Sequence, residues 1–232
     1  MEHHGWSVID ADAGVLWREY RFSGKALATT FVFRGTDGGL VVVSPGTGLS
    51  AAEYDALREF GEVRALVANN TFHYLGQRQW REHFKDAQSY APPRAVETLS
   101  RKVQGVPFHP LTELALPAHV RWEDPPGFKT GEAILSVGTK RGSVWYSGDL
   151  LTNITSLPPP PVRWLFTWTG SAPGFRRFLP AVWLFVKDRR AVRDWALARL
   201  AQDPPAIVVP AHGRPVEGPD VAAQTKAQLE RL

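Results

Sequence analysis

The sequence contains no cysteine among its 232 residues. This absence excludes disulfides, thiol catalysis, iron–sulfur clusters and cysteine-ligated zinc. Any metal site must therefore use His, Asp, Glu or weaker oxygen donors. Long hydrophobic runs are also lacking: the stretch from Ala181 to Val186 is far shorter than the roughly 18 residues that a membrane-spanning helix needs. The N-terminus does not have the basic-then-apolar order of a secretory signal, so we expect a cytoplasmic protein.

Charge is distributed unevenly along the chain, whose net charge is +4. The segment from Arg163 to Arg199 holds eight Lys or Arg residues and two Asp residues, whereas the rest of the chain is slightly acidic. Four of the nine tryptophans lie in the same segment, namely Trp164, Trp168, Trp183 and Trp195. Because the remaining chain is acidic and no nucleic-acid motif is present, nucleic acid is not an expected partner.

Hydrophobic patterns predict alternating strands and helices. Ala26 to Arg34 and Leu40 to Ser44 read as a β-hairpin, and the capping box that begins at Ser50 opens a helix. Arg64 to Ala68 is a short apolar run that is typical of a strand buried on both faces. The second half repeats this order with strands predicted at 133–137, 143–147 and 206–209, and with Asp220 as a candidate cap for a final helix.

Residues 156–202 read as an aromatic and basic helical insertion. Pro158–Pro161 predicts a stiff polyproline-like spacer, the apolar positions from Phe175 to Val186 have helical spacing, and Asp188 is expected to cap a second helix. Three roles stay open: packing or homodimer contact, weak contact with a membrane surface, or a lid that holds an anionic substrate. The candidate lid residues are Arg176, Arg177, Arg189, Arg190 and Arg193.

Polar residues of metal-ligand type follow three of the apolar runs. They lie in the loops Asn69–Gly76, Ser147–Asp149 and Pro210–Gly213. Strand ends hold side chains rigidly, and ligands are often assembled there. Each loop alone is weak support for a site, whereas their order, strand contexts and glycines together are more specific.

This combination resembles the metallo-β-lactamase fold superfamily. Five landmarks occur in the superfamily's order: Ser44-Pro45-Gly46 for its Asp-x-Gly turn, Ala68–Gly76 for its Thr-His-x-His-x-Asp-His-x-Gly loop, Pro126–Gly131, Gly148-Asp149, and Pro210–Gly213. The resemblance implies an α/β fold, a four-layer αββα sandwich with two mixed β-sheets and helices on both outer faces. It also implies a single domain over residues 1–232. The Asn-containing form of the loop is similar to that of a bacterial subgroup with this fold.

The same overlay implies a sparse metal site. Asn69, Thr71 and Phe128 stand where the superfamily has the histidines of its first metal position. His73 takes the place of an Asp and Tyr74 that of a His, whereas Asp149 and His212 persist. The expected ligands are therefore His73, Asp149 and His212, which suit one zinc, iron or manganese ion. A site without metal is the equal alternative, and Asn69, Thr71, Tyr74 and Phe128 are candidate pocket residues.

The expected function is a divergent hydrolase acting on an ester, amide or phosphoester through metal-activated water, with His73 and Asp149 as catalytic candidates. The rival is an inactive protein of this fold that binds a small anionic ligand or serves as a dimeric scaffold. Structural roles are also open: His73 could bond a loop carbonyl, and Asp149 could brace its own loop by accepting backbone N–H groups.

Overall fold

The computed structural model describes residues 2–24, 26–157 and 159–232. The chain divides into two compact units, unit 1 (Met1–Arg121) and unit 2 (Trp122–Leu232). Within the described part of the chain, no helix has the length and apolar character that crossing a bilayer requires.

Unit 1 is built on an eight-stranded mixed sheet whose strand order follows the chain. Its first five strands pair antiparallel, and β5 to β8 pair parallel. The strands are β1 Glu2–His3, β2 Trp6–Asp10, β3 Val15–Ser23, β4 Ala26–Arg34, β5 Leu40–Val43, β6 Val63–Val67, β7 Gln88–Ala91 and β8 Phe108–Pro110.

Three helices connect the parallel strands of unit 1, as crossover connections require. They are α1 Ala51–Arg58, α2 Gln77–His83 and α3 Val96–Lys102. Trp80 of α2 is fully buried, and its ring makes edge contacts with Tyr54 at 5.1 Å and Trp6 at 6.3 Å between centroids. These rings belong to one hydrophobic cluster that fixes α1 and α2 on the sheet. The loops at the strand ends are thereby held on a packed support.

Unit 2 contains two smaller sheets. The first has the order β16-β14-β11-β10-β9, with β11 and β14 parallel and β10 antiparallel to β11. Its strands are β9 Val120–Glu123, β10 Ile134–Thr139, β11 Gly142–Tyr146, β14 Pro205–Val209 and β16 Val216–Glu217. The second has the order β13-β12-β15 and comprises β12 Leu151–Ile154, β13 Gly174–Arg177 and β15 His212–Gly213. Both of these sheets are mixed, as is the sheet of unit 1, so the described residues form three mixed sheets where the resemblance implied two.

Four helices complete unit 2: α4 Val162–Trp168, α5 Leu179–Phe185, α6 Arg189–Gln202 and α7 Val221–Leu229. The expected cap of α6 is confirmed, because the Asp188 carboxylate accepts a hydrogen bond from Ala191 N at 3.0 Å. Pro158, part of the predicted polyproline spacer, lies outside the described residues.

The predicted helix from Phe175 to Val186 is wrong at its start. Phe175 lies in β13, which pairs antiparallel with β12, and α5 begins only at Leu179 with Pro180 in its first turn. Backbone pairing with β12 overrides the apolar spacing, since Phe175 is opposite Asn153. The segment therefore contributes a strand as well as helices, and its description as an insertion in a single domain stays a prediction.

Candidate metal centre

The loop between β6 and α2 carries His73 and is stabilised by hydrogen bonds between its own residues. Asn70 Oδ1 accepts hydrogen bonds from Phe72 N at 2.8 Å and from His73 N at 3.2 Å, as an Asn side chain does in an Asx turn. Asn69, Asn70 and Thr71 are all buried. Lys102 Nζ donates to Thr71 O at 2.9 Å, which ties the loop to α3. The loop is thus held by the Asn70 and Lys102 side chains, neither of which was among the candidate ligands or pocket residues.

A close backbone approach places the Ser44–Gly46 turn beside this loop. Gly76 N donates to Pro45 O at 3.1 Å, and Trp80 Nε1 donates to Gly46 O at 2.8 Å. A Cβ atom at Gly76 would overlap the backbone of Pro45 and Gly46. Gly76, which ends the loop that carries His73, is therefore required for contact with the turn that follows β5.

His73 is 5% exposed, and its ring is oriented by Ser44. The distance between Ser44 Oγ and His73 Nδ1 is 2.7 Å. Ser44 is fully buried in a left-handed conformation with φ 54°, and it is fixed by Ser44 N donating to Val67 O and by Thr30 Oγ1 donating to Ser44 O. Tyr20 Oη lies 3.3 Å from Ser44 Oγ. Because Nδ1 faces Ser44, Nε2 is the ring nitrogen that a metal would use.

In unit 2, Asp149 follows β11 and His212 begins β15. Asp149 is 4% exposed, and its Oδ1 lies 3.2 Å from His212 Nε2. Two ligand atoms with metal bonds of about 2.1 Å lie roughly 3.0–3.4 Å apart at octahedral or tetrahedral angles. The observed separation therefore suits two ligands of one cation, and it also suits an ion pair when His212 is protonated.

Backbone contacts fix the positions of these two side chains. Ser147 N donates to Val209 O and Ala211 N donates to Gly148 O, each at 3.0 Å. Gly213 has φ 96°, and a Cβ there would overlap the Asn153 carbonyl, because β15 runs directly beside β12. The glycine of the Pro-x-His-Gly landmark is thus required for β15, which begins at His212, to run beside β12.

One ligand atom from each of His73, Asp149 and His212 lies within 4.8 Å of the other two, so this group could hold a metal ion. Two imidazoles and one carboxylate are a donor set that suits zinc, iron or manganese. This donor set therefore suits the single divalent cation that the sequence predicts.

The remaining pocket candidates have diverse surroundings. Tyr74 is half-buried, with Lys102 Nζ 5.3 Å from the centre of its ring. Phe128 is 5% exposed, belongs to the hydrophobic cluster of unit 2, and forms an isolated β-bridge with Val186. An apolar ring in that position contributes to the core and cannot act as a ligand. A role for any of these residues in binding a molecule stays a prediction.

The five lid candidates lie on two elements. Arg176 and Arg177 are on β13, and burial, with a contribution from Arg231, lowers the pKa of Arg177. Arg189 and Arg190 are exposed at the start of α6, and Arg193 pairs with Asp194 at 2.9 Å. Their binding of an anionic substrate stays a prediction.

Sequence reasoning missed two residues near the landmarks. Ser44 was recognised only as a replacement for Asp, although its hydroxyl contacts His73. Glu132, 1% exposed, packs its carboxylate against Gly148, and its backbone N donates to Asp124 Oδ1 at 3.0 Å. In the sequence, only the position of Glu132 directly after the Pro126–Gly131 turn indicated that it lies near a landmark.

Comparisons with known structures identify the fold. The chain is similar to the DIM-1 metallo-β-lactamase exposed to ceftazidime (15% identity, 100% of this chain and 99% of that chain, TM-score 0.59). It is also similar to the FIM-1 metallo-β-lactamase from Pseudomonas aeruginosa in its mono-zinc form (12%, 97% and 94%, TM-score 0.60). A third is the chemotaxis sensor ODP, described as a peroxy diiron species (16%, 97% and 92%, TM-score 0.57).

No protein-family model and no curated protein matches the chain. At these identities the similarity shows the fold alone. The chain has a divergent metallo-β-lactamase fold, and the α/β class predicted from the sequence is confirmed.

Proposed function

We propose that this chain uses its metallo-β-lactamase fold to hold one divalent cation through His73, Asp149 and His212, and to hydrolyse an ester, amide or phosphoester. The observation that carries the proposal is the 4.8 Å grouping of one ligand atom from each of these side chains. Supporting it, one of the similar structures is a metallo-β-lactamase in a mono-zinc form, so the fold accommodates a single-metal centre in that protein.

The side chains of this protein would orient the site before any ligand arrives. With its Nδ1 protonated, His73 would donate to Ser44 Oγ, 2.7 Å away, and this tautomer would leave the Nε2 lone pair available for ligation. The Asp149 carboxylate oxygen that lies next to His212 Nε2 would offset part of the charge of a bound cation. A bound cation would supply Lewis-acid polarisation of a carbonyl or phosphoryl oxygen and would lower the pKa of water.

Elemental analysis of untagged protein, purified without chelator, tests the metal site. We expect close to one zinc, iron or manganese per chain, and a sharp loss of metal in His212→Ala and Asp149→Ala. The matched control is His119→Ala, which removes an exposed imidazole outside the group. Equal metal content in His212→Ala and in the unchanged protein would refute this ligand set. Absence of metal even after incubation with all three ions would refute the hydrolase proposal.

Activity is tested with chromogenic probes of the three bond classes: p-nitrophenyl acetate, a p-nitroanilide and bis(p-nitrophenyl) phosphate. We expect turnover of at least one probe, lost in His212→Ala and retained in His119→Ala. Turnover that survives in the metal-free protein would contradict a metal-dependent mechanism.

A non-catalytic binding role is the second candidate. It is favoured by the position of Phe128, because a buried apolar ring stands where the superfamily has a metal-binding histidine. One of the similar structures is a chemotaxis sensor, so in that protein the fold serves a sensing role. Metal binding without turnover of any probe would favour this candidate over the hydrolase.

A further inference from the structure

Unit 2 exposes an unusual set of large apolar side chains on α4 and α5. Trp168 is 80% exposed, Trp164 67% and Leu184 64%, and none of the seven residues of α4 is buried. We call this set the tryptophan face; it comprises Val162, Trp164, Leu165, Trp168, Trp183 and Leu184. Scattered apolar residues on a surface need no explanation, but a group of exposed tryptophans indicates a surface that is covered in use.

The tryptophan face is continuous across the two helices. The rings of Trp168 and Trp183 lie 6.3 Å apart in an edge contact, which joins the end of α4 to α5. Lys129 Nζ donates to Leu184 O at 2.9 Å, so an exposed ammonium group lies beside the apolar side chains. The surface therefore combines amphipathic rings with positive charge.

The segment of the chain that carries the tryptophan face has charges of one sign only. Residues 159–187 contain Arg163, Arg176, Arg177 and Lys187, and they contain no Asp or Glu. A symmetric contact with a second copy would set this basic surface against itself, which is unfavourable. The charge favours an anionic partner instead.

We propose that the tryptophan face docks on the surface of an anionic lipid bilayer. Trp is the residue that prefers the membrane–water interface, because its ring is apolar and its N–H is polar. Arg and Lys beside such rings are attracted to anionic headgroups. With seven residues each, α4 and α5 would lie in the interface rather than cross the bilayer. Docking is independent of the proposed hydrolysis.

Co-sedimentation with phosphatidylcholine vesicles, with or without phosphatidylserine, tests the docking. We expect strong binding only to the phosphatidylserine vesicles, weakened by high salt because the attraction is screened. The double variant W164S/W168S should bind about tenfold or more weakly, since it removes the rings that would enter the interface. Arg163→Glu should weaken binding at least about fivefold, because it reverses one charge near the lipid surface.

The matched control is Phe22→Ser, which removes an exposed aromatic ring from unit 1 and should leave binding unchanged. Circular dichroism verifies that each variant is folded. Unchanged vesicle binding by a folded W164S/W168S variant would overturn the proposal, as would absence of binding by the unchanged protein. Light scattering supplies a further outcome: a dimer that dissociates in W164S/W168S would assign the tryptophan face to self-association and also overturn the proposal.

Discussion

Ser44 and His73 are complementary replacements at the scale of single residues. Each stands where the metallo-β-lactamase superfamily has an aspartate in the sequence overlay. The distance between Ser44 Oγ and His73 Nδ1 is 2.7 Å. A buried hydroxyl introduces no charge at this position, whereas an aspartate carboxylate there would need a cation or another partner to compensate for its burial. Sequence alone could identify both replacements but not their contact, because 28 residues and a helix separate them.

We predict that Ser44→Ala lowers zinc affinity about tenfold, which is the lower end of the effect of losing such an orienting partner. His73 would lose the hydrogen bond that fixes its tautomer, while the ligand set stays complete. Competition against a chromophoric chelator measures the affinity. Because Ser44 is fully buried and its Oγ also lies 3.3 Å from Tyr20 Oη, the unfolding free energy of the metal-free protein is measured in parallel.

Ser44→Asn and Ser100→Ala are the controls for this prediction. Asn tolerates the left-handed conformation and offers an acceptor oxygen, so it should restore most of the zinc affinity. Ser100 is exposed on α3, and its replacement should change nothing. Equal zinc affinity in Ser44→Ala and the unchanged protein would show that Ser44 has no orienting role.

At the scale of elements, short sequence motifs predict where a helix begins more reliably than they predict which strands pair. The capping box at Ser50 and the cap at Asp188 are confirmed, because each requires only a few neighbouring residues. Strand β3 was not predicted, since Arg18, Glu19 and Arg21 interrupt any apolar alternation in Val15–Ser23. Phe175 was assigned to a helix for the opposite reason: its spacing is helical, but pairing with β12 determines its conformation.

The α1 capping box gives the stability of unit 1 a pH dependence. Burial alone would raise the pKa of Glu53, but hydrogen bonds from Ser50 N (2.6 Å) and Ser50 Oγ (2.8 Å), together with Arg18 at 2.6 Å, hold its pKa below the ordinary value. A lowered folded-state pKa contributes stability above the unfolded pKa of about 4.5, and this contribution is lost as the pH falls through the folded-state value.

We therefore predict that Glu53→Gln lowers the unfolding free energy by about 1 kcal/mol at pH 7 and by much less at acidic pH, where the unchanged protein is protonated at Glu53. Urea titration at the two pH values measures the difference. Glu97→Gln is the control, since Glu97 is exposed and its contact with Arg101 is 3.8 Å long. A loss that is the same at both pH values would contradict a role for the ionised carboxylate.

At the scale of the whole molecule, the fold could be predicted although the similar structures share only 12–16% identity. The landmarks that carried the prediction are positions where backbone geometry allows few residues. Gly76 and Gly213 have no room for a side chain, whereas the core between such points accepts many apolar combinations. The function could not be predicted equally well, because Asn69, Thr71 and Phe128 replace the residues by which the chemistry of the superfamily would be recognised.

Metal binding should also stabilise the folded chain as a whole. His73, Asp149 and His212 are far apart in sequence, so an unfolded chain cannot present all three donors at one point without a large loss of entropy. A cation at about 100 times its Kd then adds about 2.7 kcal/mol, which corresponds to a rise in Tm of about 5–10 °C for a chain of this size. Differential scanning calorimetry with and without zinc measures the rise. His119→Ala should keep it and His212→Ala should lose it; an equal rise in both variants would place the bound zinc at other residues.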